Sequence, residues 1–434
     1  MSFRAEVTGQ IDLFNLHRQQ PEVFPFLLQS LGAGSGRYDL LFAFPGDTIE
    51  GPEFFAGLNQ QAAAKRCAPQ DELPFCGGWF LLLGYEAARW IEPRLRLPAS
   101  PHSLPDALAV RCTAVAVYDH QRRSTTAYAE SSQAELDEVV AALRSNLGSP
   151  AYAPGNGLQL HVQADVDGEF EAGVRSILEY LKAGDVFQVN LSRAWRAWMD
   201  QRSSYLDLYA RLRHANPAPF AGLARWGDAV LLSSSPERLV EIRDGWVQTR
   251  PIAGTRPRGN GTGEDEQLRA ALIASVKERA EHIMLIDLER NDLGRVCQPG
   301  SVEVSELMTI ESYAHVHHIV SNVRGRLRAE AGPGDVLRAV FPGGTITGCP
   351  KVRAMEIIAE LECVGRGPYT GAMGYLSRCG RMDTNILIRS LLCESDTLTF
   401  RTGAGIVADS DPQAELAETR AKARGLLLAL GAQP

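Results

Sequence analysis

The sequence lacks several features that would quickly assign it to a class. Its eight cysteines include no Cys-x-x-Cys pair, so neither a disulfide framework nor a thiolate zinc site is indicated. The formal net charge is -8, which argues against a nucleic-acid or anionic membrane surface. No apolar run is long enough to span a bilayer, and no export signal is recognisable. We expect no nucleic-acid partner, no membrane attachment and a cytoplasmic location.

The length and composition are those of a globular protein. The chain has 434 residues, of which 45% are hydrophobic, enough to bury a large core. A segment rich in glycine and proline at 147–157 (LGSPAYAPGNG) predicts a boundary between an N-terminal region, 1–150, and a catalytic region, 158–434. Short turns between strand-like runs favour an α+β fold rich in antiparallel sheet over a doubly wound parallel sheet.

Two predicted helices carry glutamates three residues apart on one face. Glu278 and Glu281 lie in KERAEHIMLIDLER, and Glu415 and Glu418 lie in PQAELAETRAKA. Mg²⁺ takes a few carboxylates and completes its octahedron with water and substrate oxygens. One glutamate from each helix would therefore make a half-filled Mg²⁺ site, and solvated helix faces are the alternative interpretation.

A glycine loop in FPGGTITGCPKV has phosphate-loop spacing between Gly343 and Gly348. Cys349 and Pro350 follow where a nucleotide-binding loop needs Lys and then Ser or Thr, which excludes an NTPase. Proline suits the first turn of a helix, so the loop amides and Thr345 are free to meet an anion. A tight loop that only glycine permits is the alternative.

Three further patterns indicate a polar ligand. Gly403 and Gly405 in RTGAGIV mark a bulge or a close approach in a strand. Arg389 sits in the apolar run MDTNILIRSLL, where its guanidinium needs a carboxylate from the protein or from a ligand. Glu237 follows a proline at a strand end in SSSPERLV. Together these residues describe a site for a small polycarboxylate with Mg²⁺ and a general acid or base.

The histidine cluster HVHHIVSNV contains His315, His317 and His318. No partner motif accompanies it, so one working histidine and two structural ones are favoured over a metal site.

These motifs, together with FQVNLS, PIAGTRPRG and PYTGAMGYLS, closely resemble those of the chorismate-utilising enzymes and occur in the same order. The resemblance covers about 165–430 and extends more loosely to LLQSLGAGSGRYDLLFAFPG and GGWFLLLGYE. It implies an α/β sandwich of two antiparallel-rich sheets with outer helices, which binds chorismate and Mg²⁺ in a cleft.

The resemblance also implies roles for individual residues. Glu281 and Glu418 match the metal ligands, and Glu278 and Glu415 match their acidic neighbours. Glu237 matches the acid that protonates the leaving hydroxyl, and a histidine against that oxygen corresponds to His318. The implied substrate contacts are Gly254, Thr255, Thr345, Tyr369, Arg389, Gly403, Gly405 and Lys422.

Gln188 in FQVNLS replaces a lysine with which water-using relatives activate water. A neutral amide cannot act as that base, whereas ammonia is already nucleophilic. This position predicts amination, with ammonia from a separate glutaminase subunit.

Two amino-transferring groups remain. Asn190, Arg238, Thr384 and the FPGGTITG loop resemble aminodeoxychorismate synthase component I, on the route to 4-aminobenzoate and folate. Ala253 in PIAGT departs from that group, because many of its members carry PIKGT with a lysine thought to attack the ring. The alternatives are a subset that needs no such lysine, or an anthranilate synthase component I of the tryptophan pathway. A non-catalytic tryptophan or chorismate sensor is disfavoured, because the metal glutamates, Glu237 and Arg389 are all present.

A candidate tryptophan site is formed by Ser30 and by the NPAPF motif, of which Asn216, Pro217 and Phe220 are the relevant residues. In LLQS, Gln29 stands where the family's feedback motif has a glutamate, which argues against inhibition. A capped helix and a proline-rich turn are the alternative interpretation.

Overall fold

The computed structural model describes residues 2–32, 36–64, 67–69, 72–155, 160–199, 204–259, 261–312 and 316–432. Within these residues the strands, in chain order, are β1 (Phe3–Thr8), β2 (Phe26–Gln29), β3 (Tyr38–Glu50), β4 (Gly78–Leu83), β5 (Ala107–Asp119), β6 (Ser124–Ala129), β7 (Val162–Ala164), β8 (Gln188–Trp198), β9 (Phe220–Trp226), β10 (Ala229–Ser235), β11 (Arg238–Arg243), β12 (Trp246–Thr249), β13 (Ile252–Pro257), β14 (Glu303–Ser312), β15 (Val316–Arg326), β16 (Gly348–Cys349), β17 (Ala372–Ser377), β18 (Met382–Ile386), β19 (Ser390–Glu394) and β20 (Thr397–Ile406). The α-helices are α1 (Leu13–Gln19), α2 (Phe54–Ala64), α3 (Gln133–Ser145), α4 (Asp167–Ala183), α5 (Tyr205–Ala215), α6 (Thr262–Ala274), α7 (Val276–Gly294), α8 (Pro333–Val340), α9 (Lys351–Glu362) and α10 (Pro412–Ala429).

The long strand β5 joins two sheets. It pairs with β3 on one side, while on the other side its first half pairs with β4 and its second half with β6. One sheet runs β6, β5, β3, β2, β9, β10, β19, β20 and β8. The other continues from β4 through β17, β18, β11 and β12 to β15. All of these pairings are antiparallel, so the predicted α+β fold with antiparallel sheets is confirmed.

Both sheets contain strands from either side of the predicted boundary. In the first sheet β2 pairs with β9, and in the second β4 pairs with β17. The predicted division into 1–150 and 158–434 stays a prediction. It describes two stretches of sequence, and each sheet contains strands from both of them.

The apolar run of β4 shows how the layers are filled. Trp79 and Leu81 belong to a core under the outer helices, whereas Phe80 and Leu82 belong to a second core together with residues of the opposite sheet. The ring of Phe80 stacks on that of Phe26 from β2, with centroids 4.1 Å apart. Because both faces of the strand are covered, its sequence is continuously apolar and does not alternate.

Side-chain caps mark the first turns of the two acidic helices. Ser275 accepts a hydrogen bond from the backbone N–H of Glu278 at the start of α7, and Asp411 accepts from Gln413 and Ala414 at the start of α10. These two helices carry the predicted metal ligands. Among the described residues no helix is both long and apolar enough to cross a membrane.

Gly374, at the middle of β17, lies against the carbonyl oxygen of Asp383 on β18, which leaves no room for a Cβ. We expect Gly374→Ala to lower the free energy of unfolding by about 1–3 kcal/mol, as overpacking does, measured by urea denaturation. The matched control is Gly263→Ala in α6, where a Cβ would contact nothing within 4 Å. An equal loss of stability in both variants would contradict the close approach at Gly374.

Candidate active site

The predicted site residues come from distant parts of the chain, and most of the described ones form one connected group. Glu237 follows β10, and Thr345 lies in the loop between α8 and α9. The Thr345 hydroxyl donates a hydrogen bond of 2.9 Å to Glu237 Oε1. The carboxyl of Glu237 also interacts electrostatically with Lys422 of α10 and with Arg389. Three sequence motifs therefore meet at one carboxyl group.

Glu237 is buried, with 6% of its surface exposed. Burial raises the pKa of its carboxyl to about 7, although the Thr345 hydroxyl, the Ile252 backbone N–H and the nearby cations Lys422 and Arg389 act in the opposite direction. A carboxyl with a pKa near 7 holds a proton in a large fraction of molecules at neutral pH, so it can act as a general acid.

Arg389 directly precedes β19 and has a left-handed backbone, with φ at 53°. Within the described residues its guanidinium makes no hydrogen bond and no ion pair. Burial lowers the pKa of Arg389, and the charge of Glu237 opposes this shift. The structural salt bridge considered from the sequence is thus absent from this part of the chain, and a ligand carboxylate fits the position.

The glycines of β20 allow close approach by neighbouring side chains. A Cβ on Gly405 would collide with Gln188 Nε2, and one on Gly403 would lie 2.8 Å from the Tyr369 hydroxyl oxygen. Gln188 and Asn190 are both buried on β8, and within the described residues Gln188 Oε1 and Asn190 Oδ1 have no hydrogen-bond partner. Such groups call for a polar ligand, because a buried unpaired amide oxygen is costly.

Lys422 connects this region to the acidic face of α10. Its ammonium donates a hydrogen bond of 2.9 Å to the carbonyl oxygen of Gly403 and forms an ion pair of 2.7 Å with Glu418. The lysine thus links the glycine strand to a predicted metal ligand.

His318 lies on β15 and is buried. Its Nδ1 donates a hydrogen bond of 3.3 Å to the carbonyl oxygen of Gly254. Burial and, next, the charge of Arg389 lower the pKa of His318 to about 4, so the ring is neutral at physiological pH. The neighbouring His317 contacts Asp265 and Ser312, which fits a structural role. His315 and the Thr255 side chain lie outside the described residues.

The acidic faces of α7 and α10 influence each other. Burial raises the pKa of Glu281 to about 7; Lys277 opposes this shift, while Glu278, Asp409 and Glu415 add to it. Burial also raises the pKa of Glu415. Each of the four predicted glutamates has a protein partner: Glu278 contacts Arg256 at 3.1 Å, Glu281 contacts Lys277 at 4.0 Å, Glu415 contacts Ser410 at 2.6 Å, and Glu418 contacts Lys422 at 2.7 Å.

This donor set fits a hard divalent cation. Crowded, partly buried carboxylates raise one another's pKa, and a cation between the two helices would relieve that repulsion. Among the described residues no three His, Cys, Asp or Glu side chains are assembled into a finished metal cluster. A site with few protein ligands, completed by water and substrate oxygens, is the arrangement that Mg²⁺ prefers.

A family model described as chorismate binding enzyme matches residues 19–428. The chain belongs to the chorismate-binding enzymes. It is 44% identical over 91% of its length to the anthranilate synthase component I-like protein of Synechocystis sp., of which 83% is covered. It is also 39% identical, over 88% of its length, to aminodeoxychorismate synthase component 1 of Salmonella typhimurium, of which 82% is covered. Anthranilate synthase component I from Streptococcus pneumoniae superimposes with a TM-score of 0.79 at 32% identity, with 90% of this chain and 92% of the other covered.

Ala253 stands where many aminodeoxychorismate synthases carry the lysine of the PIKGT motif. In this chorismate-binding enzyme Ala253 is buried on β13, opposite Ile319 of β15. The pairing slips between Ala253 and Thr255, because Gly254 adopts a positive φ of 64°. A Cβ on Gly254 would lie 2.8 Å from Glu278 Oε2. The backbone of the PIAGT segment, most of which belongs to β13, therefore lies against the first acidic helix, α7.

A cavity of about 370 Å³ lies between the two sheets. It is lined by Ser30 and Phe220 of the candidate tryptophan site, but Asn216 and Pro217 do not line it. The Asn216 amide instead donates to the Ser234 hydroxyl at 2.9 Å. Gln29 also lines the cavity, with its amide bonded to Asp39 and its carbonyl oxygen to the Tyr209 hydroxyl. Tryptophan binding stays a prediction.

The sequence reasoning missed a buried ionic network behind Tyr369. Glu362 forms ion pairs with Arg366 at 2.6 Å and with Arg401 at 2.9 Å. The Arg366 guanidinium lies over the Tyr369 ring, 5.5 Å from its centroid. No periodicity marks such a network, although the arginine of GRGPYTG adjoins the motif that was recognised.

Mg²⁺ binding tests the acidic pair of helices. In calorimetric titrations with chorismate present and ammonia absent, we expect Glu281→Gln and Glu418→Gln to weaken Mg²⁺ binding by about tenfold or more. Affinity of the unaltered protein is expected to rise between pH 6 and pH 8, because the carboxyl of Glu281, with its pKa of about 7, must lose its proton to bind the ion. The exposed Glu138→Gln is the matched control. Unchanged Mg²⁺ affinity in both site variants would refute the assignment.

Proposed function

We propose that this chorismate-binding enzyme is an aminodeoxychorismate synthase component I. It replaces the C4 hydroxyl of chorismate with an amino group from ammonia, and the products are 4-amino-4-deoxychorismate and water. The observation that carries the proposal is the buried carboxyl of Glu237. It lies close to Arg389, whose guanidinium makes no hydrogen bond or ion pair within the described residues, and the Gln188 amide oxygen in the same site has no hydrogen-bond partner there.

Glu237 is proposed to donate its proton to the departing hydroxyl. Its raised pKa keeps the acid form populated near neutral pH, and the hydrogen bond from Thr345 fixes the carboxyl in one orientation. After the hydroxyl leaves as water, the resulting carboxylate can accept a proton from the ammonium group formed at the ring. The neutral imidazole of His318 is proposed to lie beside the departing oxygen and to hydrogen-bond to it.

The substrate carboxylates are proposed to meet the cations and hydroxyls of the site. Arg389 offers a bidentate guanidinium to the enolpyruvyl carboxylate, together with the Tyr369 hydroxyl. The ring carboxylate is proposed to approach Thr345, Lys422 and the narrow strand at Gly405. Gly254, Thr255 and Gly403 are proposed as further close contacts of the backbone with the ligand.

Mg²⁺ is proposed to be held by Glu281 and Glu418, with Glu278 and Glu415 as acidic neighbours. When bound, the ion supplies Lewis acidity that makes the hydroxyl a better leaving group. The ion pair of Lys422 with Glu418 places a second positive charge next to the same ligand.

Gln188 distinguishes amination from hydration. Its neutral amide cannot deprotonate water, and ammonia attacks without a base. We propose that ammonia comes from a separate glutaminase subunit, as the names component I and component 1 of the similar proteins imply.

The choice of C4 over C2 rests on Asn190. Its side-chain oxygen is buried next to Gly403 and has no hydrogen-bond partner within the described residues. Anthranilate synthases tend to carry a valine at this position, which offers no polar group. Arg238 and Thr384 support the same choice, because these residue types resemble aminodeoxychorismate synthase component I. They lie on the paired strands β11 and β18, and Arg238 donates two hydrogen bonds of 2.8 and 3.0 Å to Asp383.

Anthranilate synthase component I is the second candidate. Several similar proteins carry that name, among them one from Streptomyces coelicolor that is 41% identical over 85% of this chain. Ala253 favours this alternative as well, because the lysine of many aminodeoxychorismate synthases is missing.

Product analysis separates the two reactions. The purified chain is incubated with chorismate, Mg²⁺ and ammonium, with or without an aminodeoxychorismate lyase, and the products are identified by chromatography. We expect 4-aminobenzoate only when the lyase is present. Anthranilate formed without the lyase would establish the second candidate, and unconsumed chorismate would favour a non-catalytic sensor.

The pH dependence of turnover tests Glu237. At a constant concentration of free ammonia, kcat is expected to fall as pH rises through about 7, because the carboxyl must be protonated to donate. Glu237→Gln is expected to lower kcat by about 10²-fold or more while the protein stays folded. Thr345→Val removes a hydrogen bond that lowers the Glu237 pKa, so the fall should move to higher pH. An alkaline limb that is identical in Thr345→Val and the unaltered protein would argue against Glu237 as the acid.

A further inference from the structure

Three cysteines that are dispersed in sequence meet around one serine. The Sγ atoms of Cys67 and Cys76 lie 3.3 Å apart. The Ser377 hydroxyl is 3.3 Å from Cys76 Sγ and accepts a hydrogen bond of 3.3 Å from the Cys379 thiol. Cys76 is fully buried, whereas Cys67 and Cys379 are partly exposed.

The backbone holds these thiols in place. The N–H of Cys67 donates to the carbonyl oxygen of Arg378 at 3.1 Å, and the N–H of Cys76 donates to the Ser377 hydroxyl at 3.0 Å. Ser377 is the last residue of β17, and Arg378 begins the turn that leads to β18. The two cysteines are thus fixed to the same hairpin, although nine positions separate them in the chain.

We propose that Cys67 and Cys76 form a reversible disulfide when the protein meets a peroxide. The Cys67 thiolate attacks a peroxide oxygen and becomes a sulfenic acid, and the first water leaves. The Cys76 thiolate then attacks the Cys67 sulfur, the S–S bond forms, and the sulfenic oxygen departs as a second water. Two thiols are oxidised and one hydrogen peroxide is reduced to two waters.

The geometry assigns the roles within the pair. Cys67 meets the peroxide first, because Cys76 has no exposed surface. Hydrogen bonding to the Cys379 thiol and to the Ser377 hydroxyl lowers the pKa of Cys76 in spite of its burial, which favours the attacking thiolate. The two sulfurs must approach by roughly 1.3 Å to reach a disulfide bond length.

The bond would form at one wall of the cavity between the sheets. Glu72 and Pro74, shortly before Cys76, line that cavity, as do Met373 and Tyr375 of β17. The Arg381 guanidinium also donates to the carbonyl oxygen of Leu73 at 2.6 Å. The proposed modification therefore links a peroxide signal to a ligand-sized space, which Pro236 and Ile252 next to Glu237 also line.

Thiol mapping of the full chain tests the proposal. The protein is exposed to graded hydrogen peroxide, remaining thiols are alkylated, and peptides are identified by mass spectrometry before and after dithiothreitol. We expect a linked peptide containing Cys67 and Cys76 that dithiothreitol abolishes. It should appear at lower peroxide than oxidation of the exposed Cys363, which serves as the internal reference because no second thiol adjoins it among the described residues.

Variants define the pairing. Cys67→Ser is expected to eliminate the link, and Cys379→Ala is expected to retain it. Because Cys76 is buried and its replacement changes the packing of the core, mapping of the unaltered protein carries the test for that residue. A link between Cys76 and Cys379, or sulfinic acids at Cys67 without any linked peptide, would overturn the proposal.

Discussion

Burial of charged groups that protein partners compensate only in part is the constraint on which the site depends. Removing a carboxyl or a guanidinium from water is costly unless an opposite charge or hydrogen bonds replace the water. At Glu237 the cost appears as a raised pKa, and at Arg389 as a lowered one. A ligand with carboxylates and a departing hydroxyl would supply the missing partners, which is why we place chorismate chemistry here.

The network around Glu362 shows the opposite solution in the same molecule. The side chain of Glu362 is only 2% exposed, yet the pKa of its carboxyl is lowered, because Arg366 and Arg401 pair with it and outweigh burial. Its charges are matched within the protein, so they hold Tyr369 and β8 in place and are not available to a ligand. The charges around Glu362 stabilise the fold, whereas we propose that Glu237 and Arg389 interact with the substrate.

Parts of this picture followed from the sequence for simple physical reasons. Short turns between apolar strands predicted antiparallel sheets. Glutamates three residues apart had to share a helix face. The position of Arg389 in an apolar run indicated that its guanidinium needs a carboxylate, and this stays a prediction. The sequence could not reveal that Asn216 bonds to Ser234 and does not line the cavity, because such contacts depend on how distant strands pair.

The sequence by itself determined the fold class, the family motifs and the residue types that reach the site, since periodicity, capping and glycine spacing are local properties of the chain. Only the tertiary structure decided which charges are buried together and what their pKa values become. The cysteines are the clearest case. Their spacing indicated neither a disulfide nor a metal site, yet the pairing of β4 with β17 brings Cys76 to Ser377 and Cys379, which are some three hundred positions away. Proximity of that kind arises from strand register, which no single segment encodes.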